Sequence, residues 1–375
     1  LRRRAGWRIT GPFRGITGYD KVVRSVVPRL RSRGIAVDLR ELGNWTATHL
    51  GEALPRDLLR PERRRFPDLH LHFCLPTQVI PSPRCRNINY SMFEATRIPA
   101  TWAQAARRHD LILVPTESSR QSWLAGGVPA EKVRLCPQGA DCEVFSPLAP
   151  PLSLRTPEGR PVADFRHRFL NVAEAIDRKN LLGLLRVWLT TTTARDDAIL
   201  LLKAGFYNAQ NRMGFEEGRQ RLEAETGRKF NAAAPVLVLK EQLAEAEMPR
   251  LYASATHYWS MSRGEGFDLP MIEAAATDLR LIAPWHTAYR HYLSPEIAFL
   301  IPAREVEVSI PNDPPLAGLF RGLNWWEPDE AAAAATLRGI LDGRVAEKKS
   351  ARAALAPSCT WDRMVEHLVR EIGAE

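Results

Sequence analysis

The stretch HYWSMSRGEGFDLPMIEAAATDLRLIAP, His257 to Pro284, decides the fold. A short apolar run ends near Ser260, a glycine-flanked turn follows at Arg263–Gly266, and a helix begins near Leu269. Pro270 sits in the first turn of that helix, where a missing N–H costs nothing. A second apolar run, Leu281–Ala283, follows the helix, and strand, helix, strand is the repeating unit of a parallel sheet. The turn and the helix start present free backbone N–H groups and the positive end of the helix dipole, a ready site for phosphate. Glu265 precedes the helix and Glu273 lies in its second turn, so two carboxylates face one ligand from different heights.

The same alternation extends outward in both directions. Before the central stretch it predicts strands at Phe169–Val172, Ile199–Lys203 and Val236–Leu239, and after it one at Phe299–Ile301. The first half reads likewise, with strands at Trp7–Thr10, Ile35–Leu39, Leu69–Phe73, Asn87–Tyr90, Leu111–Pro115 and Val133–Pro137. A helix over Tyr19–Arg33 carries Val22, Val23, Val26, Val27 and Leu30 on one face, and Pro28 should kink it. Two further helices are expected near Asp329–Leu341 and Trp361–Ile372. Prolines 147, 150, 151 and 157 mark residues 146–165 as a linker. The expected architecture is therefore α/β, with Rossmann-like domains over 1–150 and 160–375 facing a cleft.

Two other segments carry chemistry. FLNVAEAIDRKNLLGLLRVW, Phe169 to Trp188, is a strand, a turn with adjacent cations Arg178 and Lys179, and an amphipathic helix. GPFRGITGYDKVV, Gly11 to Val23, places Gly11, Gly15 and Gly18 between a first strand and a first helix, where backbone can approach a phosphate closely. Its spacing departs from the GxGxxG dinucleotide fingerprint, which counts against a hydride-transferring dehydrogenase.

SRGEGFDLPMIEAAA resembles the Glu-x7-Glu motif of the family-four retaining glycosyltransferases of the GT-B fold. The resemblance implies that Glu265 contacts hydroxyls of a donor sugar and Glu273 holds the nucleotide ribose. It places Gly266 and the backbone of Phe267, Asp268 and Leu269 beside the sugar and diphosphate. Arg178 and Lys179 fall where the family neutralises the diphosphate, and the loop of Gly15 and Gly18 is similar to the family's glycine-rich first turn. Leu111 to Pro147 looks like its passage from acceptor domain to linker. The implied reaction is hexosyl transfer with retention from a nucleotide diphospho-sugar to a glycan or lipid-linked glycan, as in cell-envelope polysaccharide synthesis, with no metal and no cofactor beyond the donor. Glu94 and His109 are candidate acceptor contacts, against the alternatives of a helix-capping glutamate and a packed histidine. This chain departs from the pattern at Asp268, where glycine is usual, at Asp278 and Arg280 after the helix, and at Ala173-Glu174 in place of a Gly-Arg pair.

Length and composition agree with this organisation. The 375 residues, 45% apolar and 25% charged, suit a two-domain globular protein and exclude a disordered or fibrous one. Five scattered cysteines without CxxC spacing read as reduced, packed thiols. His70 and His72 lie two apart on one strand without a third ligand at zinc-like spacing, so a metal site is not expected. No apolar run reaches the length of a membrane span and no signal-peptide core is visible, so a cytoplasmic protein is expected. The net charge of +9 is uneven: residues 1–150 hold 24 Lys+Arg against 13 Asp+Glu. The basic half suits peripheral contact with anionic lipid at the inner membrane face, or is simply solvated arginine. A nucleotide-sugar epimerase or phosphorylase of the same fold, and a non-enzymatic polyanion binder, are the competing readings. Nucleic acid is disfavoured because the basic residues are not interleaved with aromatics.

Overall fold

A computed structural model of the chain describes residues 6–43, 45, 54, 67–206, 208–311 and 314–373. The arginines at 2–4 and at 56–65, part of the basic excess, lie outside the described residues. The chain divides into two compact units, Leu1–Gly139 with Ser358–Glu375, and Ala140–Pro357.

The first unit holds β1 (Gly6–Gly11), β2 (Ala36–Glu41), β3 (Leu69–Phe73), β4 (Arg86–Tyr90), β5 (Leu111–Val114) and β6 (Val133–Leu135). They form one parallel sheet in the order β2-β1-β3-β4-β5-β6. The second unit holds β7 (His167–Glu174), β8 (Ala198–Gly205), β9 (Val236–Leu239), β10 (His257–Trp259), β11 (Arg280–Pro284) and β12 (Ala298–Ile301). Their order is β12-β11-β10-β7-β8-β9, again parallel. Each unit is Rossmann-like, and every strand expected from the apolar runs is present. Runs such as Leu111–Val114 and Ile199–Leu202 are buried throughout, as strands covered on both faces require.

The structure corrects the sequence reading in three places. Helix Trp361–Ile372 belongs to the first unit, not to a second domain running to residue 375. Its apolar face, Trp361, Met364, Val365, Leu368 and Ile372, is buried, Arg29 bonds Asp362 at 3.2 Å and Arg86 donates to the Ile372 carbonyl. At the crossing, a Cβ on Gly139 would stand 2.2 Å from the Thr360 carbonyl carbon, so only glycine fits. Secondly, helix Gly18–Ser32 runs as one element through Pro28. Four fully buried valines, 22, 23, 26 and 27, and a Thr17–Asp20 capping box hold it despite the lost N–H. Thirdly, β13 (Ala303–Glu307) and β14 (Asn324–Pro328) form an antiparallel pair that the sequence reading missed. The expected linker, residues 146–165, lies within the second unit rather than at its boundary and carries little regular structure beyond an Arg155–Pro161 bridge and a turn at Val162–Asp164.

Candidate functional site

In the second unit the chain runs from β7 outward to β8 and β9, then returns to build β10 on the other side of β7. Loops leaving the carboxyl ends of β7 and β10 diverge at such a crossover, and open parallel sheets take their ligands there. The two charged motifs of the sequence are these two loops. Arg178 and Lys179 lie in the turn Asp177–Lys179 after β7, and Glu265 lies in the segment between β10 and helix Leu269–Ala276.

The structure brings them together. Lys179 Nζ donates to Glu265 Oε1 at 2.6 Å, and Arg178 Nη1 donates to Glu265 Oε2 at 3.1 Å and to the Gly264 carbonyl at 2.5 Å. Glu265 is only 4% exposed. Burial by itself would raise its pKa, but the Lys179 and Arg178 charges together outweigh that cost and hold the carboxyl well below the usual range. Lys179 Nζ also lies 3.9 Å from Asp268 Oδ1. Asp268 moves the other way: burial, then repulsion from Glu265, raises its pKa, with Lys179 opposing.

Three residues with left-handed backbone converge on this site: Asn180 (φ 51°), Asp268 (φ 63°) and Thr287 (φ 38°). Such conformations are strained for non-glycine residues, most of all for β-branched threonine, and concentrate where function constrains the chain. Asn180 uses the conformation to cap helix Leu181–Thr191, its Oδ1 accepting the Gly183 N–H at 3.2 Å. Thr287 Oγ1 accepts the Glu265 N–H at 3.1 Å and lies 2.8 Å from His286 Nδ1, while His286 Nε2 lies 2.7 Å from the Ser262 carbonyl. Burial pushes His286 down to about 4. Neutral His286 therefore donates from Nε2 to Ser262 and accepts the Thr287 hydroxyl at Nδ1. One chain of hydrogen bonds thus fixes the backbone on both sides of Glu265.

A second brace comes from the β13–β14 pair. Arg263 grips Glu327 through Nε and Nη2 at 2.6 and 3.1 Å and donates from Nη1 to the Asp177 carbonyl at 2.6 Å. Its own N–H reaches the Arg178 carbonyl at 2.8 Å, tying the two charged loops through their backbones. Trp326 stacks on His286 with ring centroids 5.7 Å apart.

The remaining expected residues are placed as follows. The N–H groups of Phe267, Asp268 and Leu269, at the start of helix Leu269–Ala276, make no hydrogen bond among the described residues. Gly266 adjoins them. Glu273 is buried on the same helix, and its negative charge adds to burial in raising the Tyr252 phenol. Gly15 and Gly18 lie beyond the carboxyl end of β1, but the Gly15 N–H is taken by Asp20 Oδ1 at 2.7 Å. That loop therefore does not offer Gly15 to a phosphate as expected. Glu94, half-buried, follows the carboxyl end of β4 and raises the pKa of Tyr19 after burial has done so more strongly. His109 is 2% exposed and precedes the amino end of β5, the wrong end of the sheet for a ligand, which argues against its expected acceptor contact. Burial pushes it down to about 4. Among the described residues no group of three His, Cys, Asp or Glu is placed to hold a metal ion, and no helix is long and apolar enough to cross a membrane. Sequence reasoning missed His286, Thr287 and Tyr289, whose signal was available in a polar WHTAY segment directly after a strand's carboxyl end.

No family model and no curated protein matches the chain. Solved structures do. The chain resembles Anabaena HepE in complex with UDP and glucose, at 10% identity and a TM-score of 0.62, over 98% of this chain and 99% of that one. It resembles sucrose-phosphate synthase from Thermosynechococcus elongatus at 16% identity and a TM-score of 0.65, over 99% and 100%. It also resembles the lipopolysaccharide outer core galactosyltransferase WaaB at 13% identity and a TM-score of 0.60, over 99% of each chain. At these identities the likeness is one of fold, the two Rossmann-like units of GT-B glycosyltransferases.

Proposed function

We propose that the protein is a retaining, metal-independent glycosyltransferase that moves a hexosyl unit from a nucleotide diphospho-sugar to a glycan or lipid-linked glycan acceptor of the cell envelope. One observation carries this reading: two cations and a buried glutamate meet at the β7–β10 crossover, beside three N–H groups at a helix start that make no hydrogen bond among the described residues. In glycosyl transfer the negative charge grows on the leaving diphosphate, so donors fixed in advance at that place lower the barrier. Arg178, Lys179 and the N–H groups of Phe267–Leu269 take this role, each charge-assisted hydrogen bond contributing about 1.5–3 kcal/mol. Glu265, kept ionised by its two cations, accepts hydroxyls of the donor sugar, and Glu273 holds the ribose. The acceptor oxygen bonds the anomeric carbon on the face the diphosphate leaves, and a leaving phosphate oxygen takes its proton. Glu94, at a carboxyl end of the first sheet, belongs to acceptor binding, and the basic excess of that half suits an acceptor held at an anionic membrane.

HepE is described with UDP and glucose, which supports starting with uridine nucleotides. The test is thermal unfolding with UDP, GDP and ADP and their common sugar conjugates. A ligand at 100 times its Kd adds about 2.7 kcal/mol, so one base should raise Tm by several degrees, and Lys179→Ala should abolish the shift. No shift with any of them would sink the proposal.

A further inference from the structure

The side chain of Asp268 stands at the first position outside helix Leu269–Ala276, where an aspartate ordinarily caps the helix, yet it makes no cap hydrogen bond. It turns instead into the charged site, where Oδ2 accepts the Tyr289 hydroxyl at 2.8 Å and Oδ1 faces Lys179 Nζ at 3.9 Å. Lys179 is already committed to Glu265 at 2.6 Å. The residue is 6% exposed and keeps a left-handed backbone that glycine would adopt without strain. A buried carboxylate in a strained backbone, whose side chain makes no hydrogen bond to the helix it precedes, calls for a role in the site.

Charge counting supplies one. Arg178 and Lys179 bring two positive charges, and Glu265 and an ionised Asp268 cancel both. An incoming diphosphate ester carries two negative charges and would meet no net positive charge there, with a carboxylate facing it. A proton on Asp268 removes one negative charge from the site, and the carboxyl becomes a hydrogen-bond donor. The groups facing Asp268 are Lys179 and Arg178 from the β7 loop, Glu265 from its own loop, Tyr289 after β11, Tyr258 on β10, and Glu273 with Tyr252 from the helices behind. The four neighbours with resolved shifts other than Asp268 are Glu265, held low by its cations against the cost of burial, and the three tyrosines, raised by burial. Asp268, whose pKa burial and Glu265 raise, is thus the group placed to take up a proton when an anion arrives.

We infer that Asp268 links donor binding to proton uptake, the nucleotide diphospho-sugar being held by the form of the site in which Asp268 is protonated. The inference rests on the donor site proposed above and adds a linkage that the site could lack. It predicts that affinity for a nucleotide diphosphate ester rises as pH falls through the range between the free and bound pKa values of Asp268, by at most about tenfold per pH unit, the limit for one proton. Above that range binding is weak, and below it the affinity levels off.

The experiment is titration calorimetry with UDP-glucose, GDP-mannose and ADP-glucose, whose diphosphate esters themselves take no proton in this window. Titrations between pH 5.5 and 8.5 are run in two buffers of different ionisation enthalpy, on the wild type, Asp268→Asn and Asp268→Gly. The expected result is uptake of up to one proton per ligand by the wild type and none in either variant, both of which bind at pH 8.5 more tightly than the wild type. Asparagine and glycine tolerate the left-handed backbone, so at least one variant should fold. Wild-type binding without proton uptake would overturn the linkage and leave the donor site standing. Absence of binding by every protein at every pH would overturn the donor site and the linkage with it.

Discussion

The two crossovers of the molecule, between β1 and β3 in the first unit and between β7 and β10 in the second, share a topology and differ in what fills them. At the first, the fully buried carboxylate of Asp20 accepts the Gly15 N–H at 2.7 Å, the Thr17 N–H at 3.1 Å and the Thr17 hydroxyl at 2.5 Å. The loop has supplied its own anion. At the second, two cations are held against a buried glutamate while three backbone N–H groups make no hydrogen bond among the described residues. A parallel sheet provides an anion-binding place at each crossover, and the side chains decide whether the protein or a ligand occupies it. A glycine-rich loop alone is therefore a weak sign of phosphate binding.

Changes at the second crossover should mainly cost activity, and changes at the first mainly stability. The largest effect is expected for Lys179→Ala, which should lower kcat/KM for sugar transfer by at least about 10²-fold, the scale for losing one charge-stabilising donor. Near-normal transfer by this variant would remove the contrast between the crossovers. Asp20→Ala should cost about 2–3 kcal/mol in denaturant unfolding, because it strands buried N–H groups at Gly15 and Thr17. Unchanged stability would show the first loop to be open after all.

Asp268→Asn sharpens the second crossover through pH. A carboxyl whose pKa is raised on folding contributes stability below its usual range that is lost as pH rises through the raised value. The wild type should therefore lose stability relative to Asp268→Asn between about pH 4 and pH 8, by about 1.4 kcal/mol for each unit of raised pKa, read as a falling Tm. Glu265 is held low in both proteins, so its loss of stability on acidification cancels in the comparison. A constant Tm difference would mean that Asp268 titrates as an ordinary exposed aspartate. Glu273→Ala should weaken nucleotide binding by about tenfold with little effect on turnover at saturation, and unchanged affinity in calorimetry would take the ribose role from it. The smallest effect is expected for Arg14→Ala at the edge of the first loop. Its 2.9 Å pair with Glu41 is exposed and should contribute under about 1 kcal/mol, measured by the shift in denaturant midpoint.

The strands were legible because strands buried on both faces must be apolar throughout, and Leu111–Val114 and Ile199–Leu202 contain nothing else. Arg178, Lys179 and Glu265 were legible because each follows a strand in a short turn of conspicuous charge. The brace around them was not. Arg263, Glu327 and His286 are ordinary polar residues in sequence, and Glu327 joins the site only through an antiparallel pair whose strands, Ala303–Glu307 and Asn324–Pro328, are too short and polar to announce themselves. His109 misled for the same reason, since nothing local says which end of a sheet a histidine will occupy.

By itself the sequence determined the alternation of strands and helices and the loops that carry charge, because periodicity and turn chemistry are local. Only the tertiary structure decided that helix Trp361–Ile372 returns to the first unit and that Asp268 turns from its helix to face Lys179. Those outcomes depend on which buried donors and charges find partners far along the chain. That is settled by packing, where an unpaired buried charge costs more than any local preference can supply.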